Sequence, residues 1–371
     1  MKKNPLRAIQ EFSQSIWQDD LRREMILSGE LQLLIEKDGI CGVTSNPAIF
    51  QKAIAGSPEY DSDISMLARQ GRTVQEIYEA LTVKDVQLAA DLFRPLYDRS
   101  QGRDGYVSLE VNPHLAHDTD ATIAEARRLW QALARPNVMI KVPATTQGLR
   151  CIEQLIAEGL NINVTLLFGL PRYRQVAEAY LRGLEALAAR GVSLDRSASV
   201  ASFFLSRIDV FIDPLLQEMK QTGKKPISGQ IVGEVAIASA KCAYAIYRDI
   251  FEGDRFAALA AQGARPQRLL WASTSTKEPE YSDIKYVEAL IGPNTVNTLP
   301  RSTLESYRDH GQPAQRLTQG LEKAEQVLQG LSELGISLNE VTQELEDQGI
   351  DKFIKPYDSL METLAQAVSA R

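Results

Sequence analysis

Residues 137–168 have the sequence NVMIKVPATTQGLRCIEQLIAEGLNINVTLLF, in which two short apolar runs flank a longer helical pattern. The runs Asn137–Lys141 and Asn161–Thr165 are nearly continuous in apolar residues, as in parallel strands covered on both faces. The segment Gly148–Glu158 between them has the periodicity of a helix. This order predicts a parallel βαβ unit.

The same alternation extends along most of the chain and gives about eight β–α units. We therefore predict an α/β fold, a (β/α)8 TIM barrel. A doubly wound sheet shares the alternation, but the unit count and the polar residues at the strand ends favour the barrel. The remaining predicted strands are Ser15–Asp19, Ile40–Thr44, Tyr106–Glu110, Ala198–Phe203, Arg268–Ser273 and Thr295–Leu299, and the remaining predicted helices are Val74–Tyr97, Asp120–Ala134, Pro171–Ala189 and Ile231–Arg255.

The chain has no internal repeat or Pro/Ser-rich linker, which predicts a single barrel domain over residues 1–371. Beyond the last strand, we expect residues 301–371 to form a helical extension packed on the barrel rather than an arm that binds a partner. Further helical segments are predicted at Leu338–Glu346 and Lys352–Val368. An amphipathic helix is indicated by residues spaced four, three, four and three apart, namely Leu317, Leu321, Ala324, Leu328 and Leu331.

The composition excludes several classes of protein. The 371 residues are 44% hydrophobic and 24% charged, and the net charge of −7 does not suit a surface for the nucleic-acid backbone. Three widely spaced cysteines argue against a disulfide framework or a zinc ribbon and fit a reducing compartment. The N-terminal residues do not resemble a signal peptide, and no stretch approaches the roughly 20 apolar residues of a membrane span. We expect a cytoplasmic protein with no nucleic-acid or membrane partner.

Lys141 is the most unusual polar residue at a predicted strand end. A lysine in an apolar strand is rare because its charged form is costly to desolvate. Desolvation favours the neutral amine, which can attack a carbonyl. A lysine that extends to solvent from the barrel exterior, or one held in a structural ion pair, is the alternative.

Carboxylates and a hydroxyl at neighbouring strand ends would supply the proton transfers that a Schiff-base lysine needs. The candidates are Asp19, Glu110 and Thr165, the last of which can hold a water molecule between them. Alternatively, Asp19 caps a helix beginning near residues 20–21, and Glu110 forms a buried ion pair. Asn46 precedes a proline and fits either an Asx turn or a substrate-binding amide.

Polar and basic residues also gather on the later strands and their loops, where such barrels frequently hold a phosphate. They are Ser202, Arg207, Ser273 and Lys277. In the alternative interpretation, Arg207 pairs with Asp209 or Asp213 as ordinary surface charge.

Other kinds of site have little support in the sequence. His114 and His117 form a weak metal motif because no third ligand has suitable spacing. There is no nucleophile elbow, P-loop or strand-coupled GxGxxG, so acyl transfer, nucleotide hydrolysis and dinucleotide redox chemistry lose their usual signatures.

Three segments resemble the transaldolase family in sequence, order and spacing: GVTSNPAIF (42–50), VMIKVPAT (138–145) and NINVTLLF (161–168). The resemblance runs from about Ser15 to the final strand. The segments WQDDL (17–21) and WAST (271–274) are similar to the larger bacterial transaldolase subfamily.

The resemblance implies a barrel that needs no metal or organic cofactor. The implied reaction moves dihydroxyacetone from sedoheptulose 7-phosphate to glyceraldehyde 3-phosphate, giving erythrose 4-phosphate and fructose 6-phosphate in the non-oxidative pentose phosphate pathway. The implied roles are Schiff base for Lys141, acid–base catalysis for Asp19 and Glu110, a water ligand for Thr165, substrate binding for Asn46 and Asn163, and phosphate binding for Ser202, Arg207 and Ser273.

One position departs from the family pattern. Many transaldolases have a second phosphate-binding arginine where this chain has Ser275, and we expect Lys277 to supply that charge as a point cation. Two rival functions remain open: an aldolase of the same superfamily that releases free dihydroxyacetone, and a non-catalytic sugar-phosphate-binding barrel. The sequence is compatible with a monomer or a homodimer.

Overall fold

Eight parallel strands form a closed barrel in chain order, with β8 paired to β1. The computed structural model describes residues 4–221 and 228–369. The predicted (β/α)8 fold is confirmed, including the extra C-terminal helices. The strands are β1 Gln14–Gln18, β2 Gly42–Val43, β3 Tyr106–Glu110, β4 Val138–Pro143, β5 Ile162–Leu167, β6 Ser199–Phe204, β7 Arg268–Ala272 and β8 Thr295–Leu299.

Helices surround this barrel and continue beyond its last strand. No helix in the described ranges is long and apolar enough to cross a membrane. The helices are α1 Pro5–Ile9, α2 Arg23–Leu27, α3 Glu30–Leu33, α4 Pro47–Ile54, α5 Asp61–Arg69, α6 Val74–Arg99, α7 Thr119–Leu133, α8 Thr146–Ala157, α9 Leu170–Ala189, α10 Ser206–Gln221, α11 Ser228–Ile231, α12 Val235–Phe251, α13 Asp254–Ala260, α14 Lys285–Ala289, α15 Arg301–His310, α16 Leu321–Glu333 and α17 Leu338–Ser369.

Four predicted helical segments have limits that differ by more than two residues in the structure. The segment predicted over residues 231–255 is interrupted where Gly233 takes a φ of +73°. The helix predicted from Leu317 starts only at Leu321, because Gly320 precedes it in the left-handed conformation. The two predicted C-terminal segments are one helix, α17, which continues through Pro356.

The strand register brings polar side chains to one level inside the barrel. Glu110 on β3 pairs with Lys141 on β4, and Lys141 pairs in turn with Asn163 on β5. Because neighbouring parallel strands present paired residues on the same face, these three side chains point into the barrel side by side. Thr165 lies two residues further along β5, paired with Pro143.

Helix α17 lies across the carboxyl ends of the strands. It packs against α4, α6, α10 and β5. A Cβ atom added to Gly349 would lie 3.0 Å from Leu166 and 3.7 Å from the Arg207 guanidinium, so the helix comes close to the barrel at this point. The C-terminal helix therefore helps to enclose this end of the barrel.

Candidate active site

A cavity of about 170 Å³ opens at the carboxyl ends of the strands. Catalytic groups of (β/α)8 barrels lie at this end. The cavity brings most of the predicted site residues together, while Glu110 and Asn163 lie directly beside residues of its wall. The predicted residues that line it are Asp19, Asn46, Lys141, Thr165, Ser202, Arg207, Ser273 and Lys277.

Lys141 is buried at the base of this cavity, with only 4% of its surface exposed. Its Nζ donates a hydrogen bond to the carbonyl oxygen of Ser45 at 2.9 Å and lies 3.4 Å from Oε2 of Glu110. This burial excludes a lysine that reaches solvent from the barrel exterior. The amine lies instead where a small molecule in the cavity would meet it.

Glu110 forms a buried ion pair with Lys141. Such a pair was the structural alternative to a catalytic role that the sequence analysis gave for Glu110. Neither carboxylate oxygen accepts a well-formed hydrogen bond from the described residues, since 3.4 Å is long for one. Burial raises the pKa of Glu110 to about 7, against the opposing effect of the Lys141 charge. A carboxyl group with this pKa can accept and return a proton near neutral pH.

Asp19 lies one residue beyond β1, where its backbone N–H donates to Leu299 at 2.8 Å. Thr44 donates its hydroxyl to Asp19 Oδ1 at 2.7 Å, and Thr44 Oγ1 lies 2.6 Å from that of Thr298. Burial raises the pKa of Asp19, although the Thr44 hydrogen bond and the Lys141 charge act in the opposite direction. These contacts hold the carboxylate at the cavity wall.

The helix-cap alternative for Asp19 is wrong. The next helix, α2, begins only at Arg23, and its N-cap residue Arg22 makes no side-chain capping bond. The neighbouring carboxylate, Asp20, pairs instead with Arg22 at 3.1 Å. Of the two adjacent aspartates, Asp19 is therefore the one that faces the cavity.

A chain of hydrogen bonds fixes the polar residues of β5 and β6. Ser202 donates to Asn163 Oδ1 at 2.7 Å, and the Asn163 amide donates to Ser108 Oγ at 3.0 Å. Thr165 Oγ1 is buried and lacks a hydrogen-bond partner within the described parts of the chain. A buried hydroxyl without a partner is costly, so this group is suited to hold a polar ligand or a water molecule.

Asn46 combines a structural contact with a position at the cavity. Its Oδ1 accepts the backbone N–H of Ile49 at 3.0 Å and so caps α4, with Pro47 as the first helical residue. The structural role of Asn46 is therefore a helix cap, where the sequence analysis gave an Asx turn as the alternative. The side chain nevertheless lines the cavity.

Arg207 is the second residue of α10 and points into the same cavity. Its Nη1 is buried, and the described residues offer it no hydrogen-bond acceptor. Pairing with Asp209 or Asp213 is wrong, because each of these carboxylates accepts a backbone N–H and a tyrosine hydroxyl at 2.7–2.8 Å. The guanidinium is thus available to bind an anion.

Two further groups stand beside Arg207. Ser273 follows β7 with a φ of +55°, and its Oγ lies 2.9 Å from that of Ser206. Lys277 is exposed and donates to Ser275 Oγ at 2.7 Å. Desolvation beside the cavity, followed by the charge of Arg207, lowers the pKa of Lys277. This side of the cavity carries the positive charge that a phosphate group requires.

The sequence analysis did not identify several residues that line the cavity. Thr44 lies within a quoted motif and Thr298 at a predicted strand end, so a search for hydroxyls at strand ends would have found both. Phe353 reaches the cavity from α17, and its ring centroid lies 5.9 Å from Lys141 Nζ. No local sequence pattern gives that contact. His114 is not at the cavity and lies 2.7 Å from Asp358.

Known proteins match this chain over nearly its whole length. The sequence model of the transaldolase/fructose-6-phosphate aldolase family matches residues 16–364. A protein named transaldolase 2 from Nostoc sp. strain PCC 7120 is 51% identical over 368 residues, or 97% of each chain. The transaldolase of Trichodesmium erythraeum is 49% identical over 99% of this chain and 98% of its own. The transaldolase of Thiobacillus denitrificans is 47% identical over 96% of this chain and 99% of its own.

Proposed function

Because the chain belongs to the transaldolase/fructose-6-phosphate aldolase family, we propose that its cavity carries out transaldolase chemistry through a Schiff base on Lys141. Transaldolase function follows from relatives at 47–51% identity over nearly full length. The observation that carries the proposed mechanism is the buried lysine at the base of the cavity, 3.4 Å from the Glu110 carboxylate. The proposed donor is sedoheptulose 7-phosphate and the proposed acceptor is glyceraldehyde 3-phosphate.

In the first step, Lys141 forms an imine with the ketose carbonyl. The ammonium gives its proton to Glu110, and the neutral amine attacks the carbonyl carbon. Glu110, with a water held by Thr165, then returns the proton to the carbinolamine hydroxyl, which leaves as water. The pKa of about 7 that burial gives Glu110 supports both directions of this transfer.

In the second step, the C3–C4 bond of the sugar breaks. Asp19 removes the proton of the C4 hydroxyl, erythrose 4-phosphate leaves as an aldehyde, and the protonated imine accepts the electron pair to become an enamine. The enamine carbon then attacks the aldehyde of glyceraldehyde 3-phosphate, and Asp19 returns the proton to the new hydroxyl. Hydrolysis of the imine releases fructose 6-phosphate and restores Lys141.

The remaining predicted residues would bind the substrate. Arg207, Ser273 and Lys277 form the proposed phosphate subsite, because the unpaired guanidinium and the neighbouring lysine suit a dianion. Ser202 would contribute to phosphate binding through its hydroxyl, which a hydrogen bond to Asn163 holds in place. Asn46 and Asn163 would hydrogen-bond the sugar hydroxyls.

The aldolase that releases free dihydroxyacetone is the second candidate function. It would use the same lysine and aspartate, so the two reactions differ in whether water reaches the enamine. Phe353 of α17 covers the cavity near Lys141, which supports transfer to a second aldehyde over release. Dihydroxyacetone formed from fructose 6-phosphate without an acceptor would favour the aldolase.

Borohydride trapping with fructose 6-phosphate, followed by intact mass and peptide mapping, tests the mechanism directly. The expected product is a reduced three-carbon adduct on Lys141, because the enamine left by cleavage takes up a proton from water on carbon and becomes the dihydroxyacetone imine that borohydride reduces. Lys141→Ala should remain folded, form no adduct and lose turnover. A folded native protein without an adduct would instead support the non-catalytic binding barrel.

We further propose that the chain works as a single domain, as a monomer or homodimer in the cytoplasm, on sugar phosphates alone. Neither a metal nor an organic cofactor is needed, because the protonated imine itself stabilises the carbanion. The net charge of −7 supports the absence of a nucleic-acid partner.

A further inference from the structure

A second cavity, of about 270 Å³, lies at the opposite end of the barrel from the proposed active site. Its lining comes from the first residues of several strands, including Tyr106 on β3, Met139 on β4 and Ser199 on β6. The loops 100–103 and 265–266 form its rim. Nothing in the proposed reaction uses this cavity.

The lining of this cavity is mixed, with apolar surface from Tyr106, Met139 and Val200 and polar groups from Ser199 and Asn294, whereas its rim is basic. The polar atom of Tyr106 is already occupied, because its hydroxyl donates to the carbonyl oxygen of Gly102 at 2.7 Å. Three arginines lie around this surface: Arg103, Arg265 and Arg268.

Among the residues that the structure describes, Arg268 is the one arginine of the three that pairs with a carboxylate. Arg268 is 8% exposed and is held by Asp104 at 2.9 Å, by Ser15 at 2.9 Å and by the carbonyl of Arg103 at 2.8 Å. In the described ranges, neither Arg103 nor Arg265 has a carboxylate within ion-pair distance. The cavity thus has two uncompensated positive charges at its rim.

Within the described parts of the chain, the side chains of these two arginines each donate to one backbone carbonyl. Arg103 donates to the carbonyl of Ser13 at 3.4 Å, and Arg265 donates to the carbonyl of Gln101. Arg265 also lies against Gly102, where a Cβ atom would approach its Nη1 to 2.8 Å. Both guanidinium groups line the same cavity, so an anion bound there would be attracted by both charges.

We propose that this cavity binds a small organic anion, with a phosphate or carboxylate group between Arg103 and Arg265 and an apolar body on Tyr106, Met139 and Val200. Arginine favours such groups because its planar fork binds two oxygens at once. The cavity volume of about 270 Å³ accommodates a ligand of this kind. The proposal does not depend on the proposed transaldolase mechanism.

Isothermal titration with phenyl phosphate tests the proposal, with benzyl alcohol as a neutral probe. The titration is performed on Arg207→Gln/Lys277→Gln protein, in which the two cations of the proposed phosphate subsite are absent. One molecule of phenyl phosphate should still bind, and benzyl alcohol should bind at least about tenfold more weakly. Adding Arg103→Gln/Arg265→Gln should weaken phenyl phosphate binding about tenfold or more, the effect of losing one charge-assisted hydrogen bond.

A matched variant, Arg69→Gln/Arg150→Gln, removes two exposed arginines from α5 and α8 and should leave the affinity unchanged. Thermal melting establishes that each variant is folded. Loss of binding in the Arg207→Gln/Lys277→Gln protein would overturn the proposal, since the anion would then occupy the active site only. Equal affinity with and without Arg103 and Arg265, or equal affinity for the two probes, would also overturn it.

Discussion

The Nζ of Lys141 lies 3.4 Å from Oε2 of Glu110, and both side chains are almost completely buried. The two residues are directly paired on β3 and β4, so the barrel itself fixes their separation. A buried ion pair is a weak source of stability, because removing two charges from water costs about as much as their attraction returns. We propose that the pair instead serves the proton transfer that imine formation requires.

Glu110→Gln should lower kcat by about 10²–10⁴-fold, because the amide cannot move a proton. In the native protein, the rate of imine formation should change with pH around pH 7, the pKa to which burial raises Glu110. The variant should lack this inflection. Single-turnover borohydride trapping across pH 5–9 would measure the rate of imine formation in the native protein and in the variant. The same pH profile in both proteins would exclude Glu110 from the proton transfer.

The same pKa shift predicts how stability depends on pH. The pKa of Glu110 rises from 4.5 to about 7 on folding, so the native state keeps a proton that the unfolded state loses between these values. The stability contributed by this group is therefore fully present below about pH 4.5 and is lost as the pH rises to about 7. In urea unfolding, the free energy of unfolding of Glu110→Gln protein should rise relative to that of the native protein between pH 4.5 and about pH 7. Above that pH, the difference between the two proteins should stay constant.

Asp19→Asn should separate imine formation from carbon–carbon cleavage. The amide keeps the size of the side chain but cannot accept the C4 hydroxyl proton, so turnover should fall by about 10²–10⁴-fold. Lys141 should still form the imine. Borohydride trapping with fructose 6-phosphate should then give a six-carbon adduct in place of the three-carbon one.

The adjacent aspartate supplies the control for this experiment. Asp20 pairs with Arg22 and lies outside the cavity, so Asp20→Asn should retain turnover within a few-fold and give the three-carbon adduct. A three-carbon adduct on Asp19→Asn protein would show that another group removes the proton.

Lys277→Ala should raise the KM for glyceraldehyde 3-phosphate about tenfold, the loss of one charge-assisted contact, while kcat changes little. The KM for unphosphorylated glyceraldehyde should not change. Lys277→Arg should keep most of the affinity, and Lys323→Ala, which removes an exposed lysine from α16, should have no effect. An unchanged KM for the phosphorylated acceptor in Lys277→Ala protein would contradict the substitute role of this lysine.

The barrel was predictable because each strand is a short apolar run that can be recognised from its local sequence alone. Lys141 could be identified for the same reason, since a charged residue in such a run is conspicuous. The register between β3 and β4 then determined which carboxylate lies beside it. Predicted strand ends were out by a residue or two, as Asp19 shows: it follows β1 rather than closing it.

The contribution of the C-terminal helix to the cavity wall was not predictable in this way. Phe353 is far from β4 in sequence, and its contact with the site depends on how α17 packs across the barrel. The continuity of α17 was also missed, because Pro356 normally disrupts a helix interior. Here Phe353, Tyr357 and Leu360 are buried around it, and their packing offsets the lost hydrogen bond. Tertiary contacts, and not local propensity, determine this helix.

Phe353→Ala should convert part of the transfer reaction into release of free dihydroxyacetone. The side chain is 5% exposed and covers the cavity near Lys141, so its removal would admit water to the enamine. The rate of dihydroxyacetone release without an acceptor should rise relative to the rate of transfer. A stability loss of about 3 kcal/mol is expected at the same time, the usual cost of truncating a buried phenylalanine.

Leu360→Ala distinguishes the loss of the Phe353 side chain over the cavity from destabilisation of α17 as a whole. Leu360 lies on the same helix, is fully buried and does not line the cavity, so its truncation should cost a similar 2–5 kcal/mol, about as much as other buried leucines. The ratio of release to transfer should stay at the native value in that variant. The two rates can be measured by coupled assays for dihydroxyacetone and for fructose 6-phosphate. An equal ratio in both variants would mean that α17 stabilises the barrel without protecting the enamine.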